Sequence, residues 1–265
     1  MTNLSSNPAG AGNVSPMVER VAVLSDVHGN AVALEAVLRE VAEAEADLVV
    51  FGGDLTWGPL PEATHTLVQP LRQSAVFLRG NAERALAEAA GADGSGDELA
   101  AHDRWMLRRH SADQQSFLAG FVESTVVEIE VLGAVRFCHG SPRSDEELIT
   151  FATPEERMHA LLEGVGERVL VSAHTHIQFD RHVAGIRSVN PGSIGLPYEG
   201  RAGAAFWALL GPDVELRHTD YDLEEAVRRY RATDYPRVEE LVEILRTPPG
   251  PAEVVEHSEA LEFSG

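Results

Sequence analysis

Metal-binding side chains follow short apolar runs at five separated places in this chain of 265 residues. The side chains that end these runs are those of Asp26 and His28, Asp54, Asn81, His139, and His174 and His176. Runs such as Leu48–Phe51 are wholly apolar, as expected for strands buried on both faces. Because parallel strands end at one edge of a sheet, residues that follow them converge there. The sequence therefore predicts an α/β fold whose candidate ligands meet in one place.

The chemistry of these side chains points to a pair of divalent metal ions. Two aspartates, one asparagine and four histidines form a mixed oxygen and nitrogen set that suits Mn, Fe, Co, Ni or Zn. Cysteine does not occur among them, which argues against a closed structural zinc site. The spacing of Asp26 and His28, and of His174 and His176, places alternate residues on the same side of an extended segment. One aspartate can bridge two cations that lie about 3.5–4 Å apart.

The remaining pattern predicts one main domain with irregular ends. Asn30 to about Glu45 has apolar residues at helical spacing, and Thr125–Val131 with Val135–Cys138 has the pattern of an antiparallel hairpin. We expect four segments along the chain. They are a disordered leader over residues 1–17, a domain over 18–247, a helical insertion within it over about 82–120, and a loose tail over 248–265.

Charge and cysteine content limit the possible partners and compartment. Asp and Glu total 42 against 21 basic residues, all of them Arg, for a formal net charge of −21. Such a surface repels phosphate polymers and anionic membranes, so we expect neither nucleic acid nor membrane as a partner. The single cysteine, Cys138, excludes an intramolecular disulfide, and no apolar run is long enough for a membrane span. We therefore expect a cytoplasmic enzyme. Its oligomeric state stays open, and a homo-oligomer is one of the possibilities.

Longer motifs around the candidate ligands carry a resemblance to a known family. Ser25–Asn30, Gly53–Pro59, His139–Pro142 and Asn190–Gly195, together with the seven candidate ligands in this order, resemble the calcineurin-like metallophosphoesterase superfamily. The similarity is to its small prokaryotic branch of single-domain phosphodiesterases, and it runs from about residue 20 to about residue 235. The resemblance implies a four-layer α/β/β/α sandwich, with two mixed sheets flanked by helices and the site at the sheet edges.

The resemblance also implies a role for each candidate ligand. One ion would be held by Asp26, His28 and His176, the other by Asn81, His139 and His174, and Asp54 would bridge them. The implied cofactors are two divalent transition-metal ions, with manganese favoured. A hydroxide between the ions would attack phosphorus in a small phosphodiester substrate. Asp54, Asn81 and His139 are the expected catalytic residues.

One departure from the family pattern affects the expected substrate. The family usually places His after the asparagine, to stabilise the transition state or to protonate the leaving oxygen, whereas this chain has Ala82. Losing a general acid of this kind typically removes about 10²–10⁴-fold of rate, so esters with poor leaving groups should suffer most. His102 is a candidate replacement, although it also suits a solvated basic helix face. Asn30 and Arg84 are candidate substrate contacts, although Arg84 has acidic neighbours with which it can pair.

Two further classes of function stay open at this point. The first is a phosphomonoesterase, including a protein Ser/Thr phosphatase or a dinucleoside polyphosphate hydrolase. The second is a non-catalytic scaffold, as in the phosphoesterase-like subunit of retromer. A scaffold predicts eroded ligands, whereas all seven candidate ligands are present here.

Overall fold

Two five-stranded mixed sheets form the centre of the protein, whose computed structural model describes residues 17–91 and 101–261. In spatial order, the first sheet contains β10 (Val214–Asp220), β9 (Ala204–Leu210), β1 (Val21–Leu24), β2 (Leu48–Phe51) and β3 (Val76–Phe77). The second contains β4 (Ser124–Ile129), β5 (Gly133–Cys138), β6 (Val169–Val171), β8 (Ile186–Pro191) and β7 (Gln178–Val183). Strands β1, β2 and β3 are parallel, as are β5, β6 and β8. The outer pairs β9–β10, β4–β5 and β7–β8 are antiparallel.

Helices flank the sheets and connect the parallel strands. In chain order they are α1 (Ala31–Glu43), α2 (Pro61–Val68), α3 (Asn81–Gly91), α4 (Ala101–Arg109), α5 (Ala112–Ala119), α6 (Glu155–Leu161), α7 (Leu223–Arg231), α8 (Val238–Arg246) and α9 (Pro251–Ala260). A 3₁₀ turn over Gln69–Leu71 follows α2. Within the described part of the chain, no helix has both the length and the apolar character needed to cross a membrane.

Alternation of apolar residues along the strands creates the layers. In β1, Val21 and Val23 pack with Phe137 of β5 in a core between the two sheets. Their neighbours Ala22 and Leu24 face the other way and pack against helices, including α1. On the far side of the second sheet, a separate core contains residues of β5, β6, β7 and α6. The predicted four-layer sandwich is confirmed, because every sheet face is covered by apolar packing.

Several local predictions can be compared with the structure. The predicted hairpin is present as β4 and β5, which pair from Ser124 with Cys138 to Ile129 with Gly133. The insertion region forms α3, α4 and α5, while residues 92–100 lie outside the described residues. Residues 1–16 of the predicted leader also lie outside them.

The C-terminal segment differs from the expectation of a loose tail. Residues 251–260 form α9, which begins with Pro251 at its first turn and buries Val255. The carboxylate of Glu259 accepts hydrogen bonds from the hydroxyls of Thr150 and Thr153, both at 2.6 Å. These contacts come from a segment about a hundred residues away, so the local composition of the tail does not reveal them.

Hydrogen bonds between loops hold the carboxyl ends of the strands together. After β1, the Asp26 amide donates to the Gly53 carbonyl at 3.1 Å, and the His28 amide donates to the Asp54 carbonyl at 2.9 Å. In the second sheet, the Ala173 amide donates to the His139 carbonyl at 2.7 Å. The loops that carry the candidate ligands therefore lie side by side at one edge of the sandwich.

Candidate metal centre

The seven candidate ligands converge at this edge in two groups. In the first group, ligand atoms of Asp26, His28 and His176 all lie within 4.8 Å of one another. In the second group, the same holds for Asp54, His139 and His174. The amide oxygen of Asn81 lies 3.1 Å from Nε2 of His139, so Asn81 adjoins the second group.

Asp54 lies between the two groups. Its Oδ2 is 3.6 Å from Nε2 of His28, and its Oδ1 is 3.6 Å from Nε2 of His139. The Ala82 amide donates to Oδ1 at 3.0 Å and helps to orient the carboxylate. Because one carboxylate oxygen is directed to each group, Asp54 is placed to bridge two cations.

The backbone turns sharply at most of these ligands. Five of the seven candidate ligands have a left-handed backbone, with φ of 51° at Asp26, 46° at His28, 53° at Asp54, 67° at His174 and 59° at His176. Each such conformation costs about 1–3 kcal/mol for a residue other than glycine and persists only where the surrounding structure imposes it. The cluster of strained residues therefore supports a functional role for these loops. Sequence patterns do not reveal this strain.

Backbone carbonyl groups orient three of the imidazoles. In His28, His139 and His176, Nδ1 lies within hydrogen-bonding distance of a carbonyl oxygen, so Nε2 is directed into the centre. The three carbonyl groups belong to Trp57 at 3.1 Å, Gly52 at 2.7 Å and Leu196 at 2.8 Å. An Nδ1–H that donates to a backbone carbonyl is the usual arrangement behind a metal-binding Nε2.

The facing atoms of the centre require positive charge between them. Nε2 of His28 and Nε2 of His176 are 3.1 Å apart, and while both rings are neutral their lone pairs face each other. Oδ1 of Asp26 is buried without a hydrogen-bond donor among the described residues, and Nε2 of His176 lies 3.3 Å away. A divalent cation satisfies all these acceptors at once, so the residues fit a metal ion.

The pKa shifts of the candidate ligands also indicate that positive charge is favoured between them. Burial alone raises the pKa of Asp26, but His176 and the other nearby imidazoles outweigh burial and hold this pKa well below its ordinary value. Burial lowers the pKa of His139 and His176, but the carboxylates of Asp54 and Asp26 outweigh it, so both pKa values are raised. Burial and the neighbouring His139 lower the pKa of His174 to about 4, which keeps this imidazole neutral and able to bind a metal at pH 7.

Glu83 supports the centre from behind, a role that our sequence reasoning missed. Its Oε2 accepts hydrogen bonds from the amides of Asp54 and Gly80, both at 2.9 Å, and its Oε1 accepts one from Leu55 at 2.8 Å. Burial and the nearby Asp54 raise the pKa of Glu83 to about 7. Glu83 therefore ties together the loops after β2 and β3, and its position two residues after Asn81 was the available sequence signal.

The burial and hydrogen bonds of Asn30 argue against the substrate contact that we expected. Its side chain is fully buried, and Oδ1 accepts a hydrogen bond from the Ala33 amide at 3.1 Å. Its Nδ2 donates to the Gly195 carbonyl at 3.3 Å and to the Tyr221 hydroxyl at 3.4 Å. These bonds make Asn30 the N-cap of α1 and leave its amide no access to a substrate.

The side chain of Arg84 is also engaged within the protein. Its Nε donates to Asp145 at 2.8 Å, its Nη1 to Glu88 at 3.1 Å and its Nη2 to Glu146. The alternative that Arg84 pairs with its acidic neighbours is therefore the arrangement present in the structure. Its guanidinium joins α3 to the loop that follows His139.

His102 lies behind the first ligand group. Its Nε2 is 2.5 Å from the Tyr235 hydroxyl, and its ring contacts that of Trp57 edge-on, with ring centroids 4.6 Å apart. The Trp57 carbonyl accepts the hydrogen bond from His28. Trp57 therefore lies between His102 and the candidate ligand His28. Burial lowers the pKa of the His102 imidazole.

Comparisons with known proteins agree with this fold. The profile of the calcineurin-like phosphoesterase superfamily domain matches residues 20–209. A metallophosphoesterase from Sphaerobacter thermophilus is similar in structure with a TM-score of 0.70 at 24% identity, over 87% of this chain and 99% of that one. A hypothetical protein from Pyrococcus horikoshii OT3 is similar with a TM-score of 0.73 at 21% identity, over 85% and 97% of the two chains. A comparison with curated proteins gave no match.

The two mixed sheets and the paired ligand groups at their edge are those of a metal-dependent phosphoesterase. The chain belongs to the calcineurin-like phosphoesterase superfamily, because the matched residues span most of its length. It is accordingly a phosphoesterase hydrolase with two candidate metal-binding groups.

Proposed function

We propose that this protein hydrolyses small phosphodiesters with the help of two divalent transition-metal ions, and manganese is our preferred assignment. The observation that carries the proposal is the position of Asp54, with one carboxylate oxygen directed to each ligand group. Asp26, His28 and His176 would hold one ion, and Asn81, His139 and His174 the other. When bound, the ions would supply Lewis acidity at the phosphoryl oxygens and activate a water molecule for attack on phosphorus.

The charge of the ligand shell supports an anionic substrate. Asp26 and Asp54 contribute the carboxylates in the two groups, whereas the imidazoles bind a metal as neutral ligands. Two divalent ions would therefore leave the centre about two charges positive. This local excess opposes the net charge of −21 on the whole chain and draws a phosphate ester to the site.

The residue after Asn81 supports a preference for diesters with good leaving groups. Ala82 is buried and contributes only its backbone amide, which donates to Asp54. It offers no proton for the departing oxygen, so the leaving group must depart largely as an anion. Aryl diesters release a stabilised phenolate and so meet this requirement better than simple alkyl monoesters do, and cyclic diesters are favoured by the release of ring strain.

Hydrolysis of two nitrophenyl esters tests the substrate class. We expect the manganese-loaded protein to hydrolyse bis(4-nitrophenyl) phosphate with a higher kcat/KM than 4-nitrophenyl phosphate. The reverse order would contradict the diester preference and favour the phosphomonoesterase class, including protein phosphatases. Rates that are independent of leaving-group pKa across a series of aryl methyl phosphates would contradict the role assigned to Ala82.

Substitution of the bridging residue tests the metal centre. The wild type should bind about two metal equivalents. Asp54→Asn should bind fewer and should lose about 10³-fold or more in kcat/KM. Asp220→Asn is a matched control, because its carboxylate is 71% exposed and pairs with the Arg201 side chain at 2.6 Å. Full activity in Asp54→Asn would refute the bridging role. A wild-type protein with two bound ions and no phosphoesterase activity would instead favour a non-catalytic scaffold.

A further inference from the structure

A polar pocket of about 200 Å³ adjoins the second ligand group. His139, a candidate ligand, forms part of its wall, and so do Arg79, Glu123, Arg143 and Asp145. The pocket therefore lies against a residue of the metal centre.

Two of the charged groups in the pocket wall are neutralised within the protein. Arg143 donates from Nε and Nη2 to the carboxylate of Glu147, with the shortest distance 2.7 Å. Asp145 accepts from Arg84 at 2.8 Å. Neither of these groups adds a free charge to the pocket.

Arg79 differs from these groups, because its guanidinium is only partly engaged. Its Nε is buried and has no hydrogen-bond partner among residues 17–91 and 101–261. Its Nη2 donates to Glu123 at 2.8 Å, but the Glu123 side chain is 77% exposed. An ion pair with so exposed a partner contributes little, so an anion that enters the pocket can compete for the guanidinium.

The backbone holds Arg79 in a defined place beside the centre. Its amide donates to the Val122 carbonyl at 2.7 Å, and the next two residues are Gly80 and the candidate ligand Asn81. Arg79 is therefore anchored next to the metal centre, on a chain whose overall negative charge repels anions elsewhere. A guanidinium in this position is suited to bind the oxygens of a carboxylate or phosphate.

We propose that this pocket is a subsite for a second anionic group on the substrate, and that Arg79 is its specificity-determining residue. The preferred substrates are then phosphodiesters in which one ester group carries a carboxylate or a phosphate. This inference rests on the proposed phosphodiesterase function and adds the class of ester group that the site selects.

Three diesters with the same leaving group test the subsite. The manganese-loaded protein is assayed with 4-nitrophenyl ethyl phosphate and with the 2-carboxyethyl and 2-phosphonoethyl analogues. Release of 4-nitrophenolate is the common readout, and kcat/KM for each anionic ester is divided by that for the ethyl ester. We expect ratios of about 10- to 100-fold, from one or two charge-assisted hydrogen bonds. The larger ratio identifies carboxylate or phosphate as the favoured group.

Three variants assign the preference to Arg79. In Arg79→Gln the ratio should fall toward one. In Glu123→Gln the ratio should rise above that of the wild type, because the competing carboxylate is gone. Glu123 is 77% exposed, so its substitution should leave the fold intact. Arg39→Gln is the charge-matched control, because Arg39 is 70% exposed on α1 and outside the pocket wall, so its ratio should equal that of the wild type.

The possible failures separate the inference from the proposed function. Turnover of all three esters with equal kcat/KM would overturn the subsite, and so would a ratio that Arg79→Gln leaves unchanged. Lack of turnover of every ester by protein with two bound manganese ions would overturn the phosphodiesterase function, and the subsite with it.

Discussion

A buried histidine without hydrogen-bond partners should make the fold sensitive to acid. His65 lies on α2, is only 2% exposed, and has no partner for either ring nitrogen among the described residues. Its ring lies edge-on to that of His110, with centroids 5.1 Å apart. Burial, assisted by His110 and Arg72, lowers the pKa of His65 from 6.5 to about 3. The folded protein therefore holds this imidazole in its neutral form.

The sign of the pH dependence follows from this lowered pKa. Well above pH 6.5 the imidazole is neutral in both the folded and the unfolded chain, so its full contribution to stability is present. As the pH falls from 6.5 toward 3, the unfolded chain binds a proton that the folded protein does not. At pH 5 the difference lowers the free energy of unfolding by about 2 kcal/mol. For a chain of this size, this corresponds to a decrease in Tm of about 4–8 °C.

Urea unfolding of the wild type and of His65→Met at pH 7.5 and pH 5.0 measures this contribution. Methionine has a similar volume and no titratable group, so the wild type should lose about 2 kcal/mol more than the variant over this range. Other titrating groups are common to both proteins and cancel to first order. His257→Gln removes an exposed histidine and should retain the wild-type pH dependence. Equal losses in the wild type and His65→Met would refute the reasoning.

Three further substitutions test the residues around the centre. Ala82→His should raise kcat/KM for diesters with poor leaving groups by up to about 10²-fold and for 4-nitrophenyl esters much less, which an aryl ester series measures. Glu83→Gln turns an amide N–H toward the backbone amides of Asp54, Leu55 or Gly80, which now donate to the carboxylate. The free energy of unfolding, measured with urea, should therefore fall by about 1–3 kcal/mol. The same substitution should also weaken manganese binding by about 10–100-fold in a titration. In Gly195→Ala the new Cβ would lie 1.9 Å from the Val27 carbonyl oxygen. We therefore expect the free energy of unfolding to fall by about 3 kcal/mol and manganese binding to weaken. A manganese affinity equal to that of the wild type would contradict this expectation.

The sequence alone was sufficient for the fold class and for identifying candidate ligands that the structure brings together. Apolar runs that end in polar side chains predict buried parallel strands, and the ends of β1, β2, β3, β5 and β6 do meet at one edge. These features depend on residue type and periodicity, which are local properties of the chain. The order of the motifs predicted the superfamily, and the match over residues 20–209 confirms it.

Only the tertiary structure decided which polar side chains are available to a substrate. Asn30 follows the first motif directly, yet its amide is used to cap α1, and Arg84 is surrounded by carboxylates from a distant loop. Glu83 and Arg79 acquire their roles from contacts with other segments, such as the amide of Leu55 and the carboxylate of Glu123. The physical reason is that hydrogen bonds and ion pairs depend on the distance between atoms in space. Strand formation and metal-ligand chemistry are encoded locally, whereas the partners of a side chain are chosen when distant segments fold together.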